Sequence, residues 1–204
     1  MISLLKKYIL PKEVDFLSAL QSQSKNITTI TQKLYECFIE KSSCQDILKV
    51  QNEASIIRDK NMQELLNVFI TQIDRESIYR VITQLDWIAL SIKHLYLESR
   101  AYKIDSLVQY KEILDILNKQ ANYLYSGFLT LQKDNNKTAK SAKKVRDDYD
   151  KLVEVYIKNM AKLTKSKDIE YIFMQKEILH QLKDISKRFR IAANSLEDIV
   201  MKMA

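Results

Sequence analysis

A single glycine, Gly127, and a single proline, Pro11, serve the whole chain of 204 residues. That shortage restricts the fold more than any other feature. Sheet proteins of this length turn repeatedly through backbone angles that glycine adopts most easily. With no supply of such residues, the chain is expected to be almost entirely α-helical. The same shortage excludes whole classes of function. Phosphate-cradling loops, dinucleotide fingerprints and nucleophile elbows each need several glycines for close backbone approach.

Apolar periodicity agrees with helices. Leu107, Tyr110, Leu114, Leu117, Ala121, Leu124, Phe128 and Leu131 recur at three- and four-residue steps. So do Ile178, Leu182, Ile185, Phe189, Ala192, Leu196 and Ile199. Both are seams of the kind that pack in antiparallel bundles. Further stripes run Ile47–Val50–Ala54–Ile57, Ile78–Ile82–Leu85–Ala89–Ile92 and Val145–Tyr149–Leu152–Tyr156–Met160. A weaker first stripe runs through Leu17, Leu20, Ile27, Ile30, Leu34 and Phe38. Breaks are predicted at EKSSCQD (40–46), TQID (71–74), YKID (102–105), KDNNK (133–137) and KSKD (165–168). Each carries an Asp, Ser or Asn able to cap the next helix. Six helices follow.

Hydrophobic residues at 46% suffice for a core, and charged residues at 29% are ordinary for a soluble helical protein. The two cysteines, Cys37 and Cys44, have neither CxxC spacing nor a nearby histidine, and are expected to be reduced thiols. In the opening stretch MISLLKKYILPKE, Lys6 and Lys7 interrupt any signal-peptide core. No apolar run approaches the length of a membrane span, so the expected location is cytoplasmic, with peripheral contact at the inner membrane face as an option. A net charge of +7 and a pI near 9.2 permit an acidic partner without identifying one.

The two halves resemble each other. VQNEASIIRDKNMQELLNVFIT from Val50 aligns with VRDDYDKLVEVYIKNMAKLTKS from Val145, and Gln84–Leu85 aligns with Gln181–Leu182. Shared apolar phase supplies part of this match. The implied organisation is one domain over 1–204, with approximate repeats at 14–100 and 104–204. Each repeat is a three-helix unit, and the two share a lengthwise core.

Three segments carry a family resemblance: LPKEVDFLSAL, VFITQIDRESIYRVITQLDWI and KEILHQLKDISKRFRIAANSLEDIV. In this order and spacing they resemble the PhoU-like family that accompanies Pit-type inorganic phosphate permeases. The most specific piece is the corner Phe69-Ile70-Thr71-x-x-Asp74-Arg75-Glu76-x-Ile78, where the family pattern has proline in place of Gln72. The resemblance implies two repeated three-helix bundles and a cytoplasmic regulator or accessory of phosphate uptake, working by contact with the permease. It also implies iron or zinc on helical carboxylates in the wider group. Here the candidate metal positions reduce to Glu53, Asp86, Asp148 and Asp150. Ser55, Trp87, Leu90, Arg146, Lys187 and Arg190 stand where acids are common. Charged lysine and arginine do not ligate cations, so no cofactor is expected and iron or zinc is the alternative.

The remaining features are weighed on physical grounds. Asp147, Asp148, Asp150 and Glu154 form the densest acidic group; a solvated helix face is the simpler reading, and a weak cation site the sharper one. Lys137, Lys140 and Lys144 recur at helical spacing and are candidates for contact with a partner or an anionic membrane. Nucleic acid is disfavoured, since no binding motif accompanies the charge. His94 and His180 belong to no HExxH pair and read as ordinary flank residues. Trp87 reads as a packing residue. Asp74, Arg75 and Glu76 are assigned to the structural corner, Asp74 as cap to Glu76 or Ser77 and Arg75 as a bridge to a neighbouring helix. No nucleophile–base pair is visible, so a non-enzymatic protein is expected. The competing readings are a metal-binding PhoU-like protein whose acids assemble across a dimer and a helical adaptor unrelated to phosphate; a homodimer is a candidate under the leading reading as well.

Overall fold

A computed structural model describes residues 14–203, so the start MISLLKKYILPKE lies outside the described residues. Six long helices follow in order: α1 Phe16–Phe38, α2 Gln45–Asn67, α3 Arg75–Ala101, α4 Lys111–Thr130, α5 Asn135–Leu163 and α6 Ile169–Met203. A single 3-10 turn, Val108–Tyr110, leads into α4, and no strand occurs among the described residues.

The helices assemble as two trios. In the first, α1, α2 and α3 pack on one another; in the second, α4, α5 and α6 do. The trios meet through corresponding members, α1 against α4 and α3 against α6, leaving α2 and α5 on the outside. Hydrogen bonds fix the directions. Gln21 near the start of α1 donates to Phe128 O near the end of α4 at 3.1 Å, and Lys202 at the end of α6 reaches Asp74 before α3 at 3.1 Å. Val14, Met203 and the α2–α3 and α4–α5 connections therefore share one end, called the lower end below. The other three connections share the upper end.

The stripes form the core. Every residue of the α4 and α6 seams is buried, as are Ile78, Ile82, Leu85, Ala89 and Ile92 of α3. The outer helices bury less: Ile57 on α2, and Tyr149, Tyr156 and Met160 on α5, remain partly exposed. A polar rivet sits within each trio. Buried Gln23 on α1 donates to Ile82 O at 2.9 Å and accepts from Asn61 at 3.1 Å, joining α3 and α2. Buried Gln120 on α4 donates to Val145 O at 3.0 Å and accepts from Ser186 at 2.8 Å, joining α5 and α6. A satisfied buried amide adds modest stability, whereas removing one partner leaves the other unbonded at a cost of about 1–3 kcal/mol.

Capping follows the sequence expectation at three connections. Asp74, Asp134 and Asp168 accept from the backbone amides of Ser77, Lys137 and Tyr171 at 3.0, 2.9 and 3.0 Å. It departs at the other two, because Cys44 and Tyr110 cap α2 and α4 without a side-chain bond. Helix α2 also ends earlier than TQID suggests. Val68 turns extended and buries its side chain, so the helix closes at Asn67.

Glycine is not used for turning. Lys41, Lys103 and Gln132 take left-handed φ of 56°, 56° and 68°, a conformation that costs a side-chain-bearing residue about 1–2 kcal/mol. Gly127 instead lies inside α4, where an added Cβ would fall 2.6 Å from a methyl carbon of Leu196. The one glycine permits close approach of α4 and α6.

The expectation of reduced thiols is corrected. Cys37, in the last turn of α1, and Cys44, at the start of α2, are joined by a disulfide. Their Cα atoms lie 4.8 Å apart because the short return loop brings both helix ends together. That proximity depends on the turn, so it is invisible in the spacing of the two residues.

Candidate functional site

The carboxylates expected to bind metal are dispersed. Glu53 on α2 and Asp150 on α5 are exposed. Asp86 on α3 is half-buried, with Arg58 Nε of α2 at 3.8 Å. Burial raises the Asp86 carboxyl above its ordinary value, Arg58 opposes that shift, and Asp59 adds to it. Asp148 on α5 is only 5% exposed; its Oδ1 accepts from Lys151 at 3.0 Å, and its Oδ2 is buried without a hydrogen bond. Among the described residues no three His, Cys, Asp or Glu side chains gather as a metal-holding group.

Cationic side chains occupy much of the surrounding surface. Arg190 places its guanidinium 4.6 Å from the centre of the Tyr149 ring, and Arg146 bonds Glu197 across α5 and α6. Lys187 is exposed. In the acidic group, Asp147 and Glu154 are exposed with Asp150, while Asp148 turns inward beside the stripe.

The basic face at the start of α5 is solvent-exposed at Lys137, Lys140 and Lys144. Lys137 pairs with Asp134 at 3.3 Å, and Lys144 lies 4.9 Å from the centre of the Tyr123 ring. The Lys137 amide, followed by burial acting in the opposite sense, sets the Asp134 carboxyl below its ordinary value.

At the α2–α3 corner, Asp74 takes both the amide and the hydroxyl of Ser77, at 3.0 and 2.8 Å, along with Lys202. The Ser77 hydroxyl, then Lys202 and the Ser77 amide, hold its carboxyl down at about 2. Arg75 does not bridge to another helix. It donates back to Val68 O, closing the turn on itself, because that carbonyl is left without a helical partner. Thr71 donates to Ile73 O at 2.6 Å, and Glu76 pairs with Arg80 one turn on at 2.6 Å. Around this pinned turn, Leu66, Phe69, Ile70 and Tyr79 are exposed, Phe69 at 90%. Beside them lies an apolar groove of about 410 Å3 lined by Met62, Leu65, Leu66, Arg75, Glu76 and Tyr79.

His94 is exposed, and His180 stacks obliquely near Tyr156 with centroids 5.9 Å apart. Trp87, still partly exposed, carries the Arg188 guanidinium 4.8 Å from its ring centre and so links α3 to α6. Sequence reasoning missed Asp198. It receives Lys202 at 3.2 Å, Arg80 at 3.4 Å and the Ser77 hydroxyl at 3.3 Å, tying the α2–α3 corner to the last turns of α6. Nothing in local spacing signals that contact, which needs α6 to return to the lower end.

No protein-family model matches the chain, and no curated protein matches it. Among solved structures, the chain resembles the crystal structure of a PhoU-like protein from Shewanella oneidensis MR-1. It superposes with a TM-score of 0.75 over 92% of this chain and 100% of that one, at 10% sequence identity. The fold is PhoU-like. At that identity the likeness concerns architecture alone. Among the described residues no helix is long and apolar enough to cross a membrane.

Proposed function

We propose that this protein is a regulator or accessory of inorganic phosphate transport that acts by contact with a Pit-type permease. The observation that carries the reading is the PhoU-like architecture, which extends over the whole of the matched structure. Supporting it is the character of the surface, which exposes large apolar side chains at helix connections. A contact protein needs such surface and no reacting centre. The metal-binding alternative has less support. Asp86 and Asp148 already face Arg58 and Lys151, and Glu53 and Asp150 point to solvent.

Two measurements test the reading. Deleting the gene should change phosphate uptake or phosphate-responsive expression, and the tagged protein should co-purify from membranes with a phosphate permease. Unaltered uptake and expression together with no permease enrichment would leave the adaptor reading in its place. Stoichiometric iron or zinc in chelator-free protein would favour the metal-binding reading.

A further inference from the structure

The connection between α5 and α6 lies at the upper end and projects beyond its neighbours. Gln175 is the first buried residue of α6, and there it receives Tyr110 Oη at 2.8 Å and Gln109 Nε2 at 3.2 Å from the turn that opens α4. The six residues of α6 before Gln175 therefore extend about 9 Å past that turn, at 1.5 Å per residue. Between Tyr156 and Met174 only Leu163 is buried.

This tip combines two chemistries. Ile169, 82% exposed, and Phe173 lie four residues apart on one face of α6, with Tyr171 and Ile157 of α5 also exposed. Around them stand Lys158, Lys162, Lys165, Lys167 and Lys176, against only Asp168 and Glu170. The local balance over 158–176 is thus five cations to two anions. Asp168 is already committed to the Tyr171 amide as the helix cap.

We infer that the α5–α6 tip is a docking site for an anionic lipid bilayer. The apolar side chains are carried on a convex projection, so they can enter the headgroup boundary, while the lysines keep their charged heads among the lipid phosphates. Charge complementarity selects the partner, and the convex shape favours a deformable surface over a protein groove. The basic face at Lys137, Lys140 and Lys144 lies at the opposite end. This inference goes beyond the permease reading and stands without it, since vesicles of pure lipid contain no transporter.

The test is flotation of the full chain with phosphatidylcholine vesicles, with and without about 30% phosphatidylglycerol. The protein should float with the anionic vesicles at about 0.1 M salt and much less at about 0.5 M, and should not float with the neutral ones. Reversing Lys162, Lys165 and Lys167 to Glu should lower partitioning about 100-fold or more. Replacing Ile169 and Phe173 by Ser should lower it about tenfold. All five side chains are exposed, so the variants should keep the helical circular dichroism of the parent. Absence of flotation, or flotation unchanged by both sets, would overturn the inference. So would loss of flotation on reversing Lys137, Lys140 and Lys144 while the tip variants still float. Retention on polyglutamate through the tip lysines, without vesicle binding, would assign the tip to an acidic protein and equally overturn it.

Discussion

The connections 68–74 and 164–168 each join the second and third helices of a trio, yet they are built in opposite ways. The first is tied down. Val68 and Ile73 are buried, Arg75 returns to Val68 O, Asp74 caps α3, and Asp198 and Lys202 fasten the turn to the end of α6. The second has its own cap at Asp168 and a bond from the Asp168 amide to Ser166 Oγ at 3.2 Å, with only Leu163 reaching the core. Their charges differ as well. Residues 60–79 carry Lys60 and Arg75 against Glu64, Asp74 and Glu76, whereas the upper tip is strongly basic. Both expose large apolar side chains. The contrast teaches that one architecture can present a braced, nearly neutral apolar corner at one end and a projecting cationic tip at the other.

The largest expected effect concerns what holds the upper end if its tip does not. The disulfide closes a short loop between α1 and α2 there, so Cys44→Ser should lower stability by about 2 kcal/mol in urea unfolding. A negligible change would show that the disulfide does not brace that end. Next, Asp74→Ala removes the bonds from the Ser77 amide and hydroxyl and from Lys202, and should cost about 1–2 kcal/mol.

That corner should also show itself in acid. The Asp74 carboxyl is held at about 2 in the folded chain, below its ordinary 3.8. A depressed folded value means that its contribution is present above the unfolded value and disappears as pH falls through about 2. Asp74→Asn should therefore flatten the loss of stability between about pH 4 and 2. An unchanged acid limb would show that Asp74 is not a brace.

Smaller effects sharpen the comparison. Asp168→Ala removes an exposed cap with no tie to another helix, and should cost about 0.5 kcal/mol, clearly less than Asp74→Ala. Equal costs in parallel urea titrations would break the distinction between the two connections. Smallest of all, Lys103→Gly relieves a left-handed residue in the α3–α4 loop and should gain about 0.5 kcal/mol by thermal unfolding. No residue between 68 and 74 has positive φ, so glycine there should bring no such gain.

Much of this was legible because helices advertise their buried face. The stripes through Leu114 and Phe128, and through Ile178 and Ile199, became core without exception, since a period near 3.6 residues allows one inward side. Asp74 was readable as a cap because capping is a three-residue interaction. Arg75 was not, since a guanidinium reaches many carbonyls and its choice of Val68 O depends on where α2 stops. The roles of Gln23, Gln120 and Asp198 require three helices to converge, which no local pattern reports. Helical geometry puts Asp148 on the flank of the Tyr149 stripe and turns Asp147 and Asp150 away from it, which is how they lie; that the flank is covered depends on the packing of α5. Left-handed Lys41 and Lys103 went unmarked because lysine carries no turn signal.

Amide hydrogen exchange, followed with and without anionic vesicles, tests the central contrast most directly. In solution, amides of residues 164–174 should exchange faster than those of residues 74–80, and vesicles should slow only the former. Rapid exchange at the braced corner, or vesicle protection that appears there and not at the tip, would contradict the account.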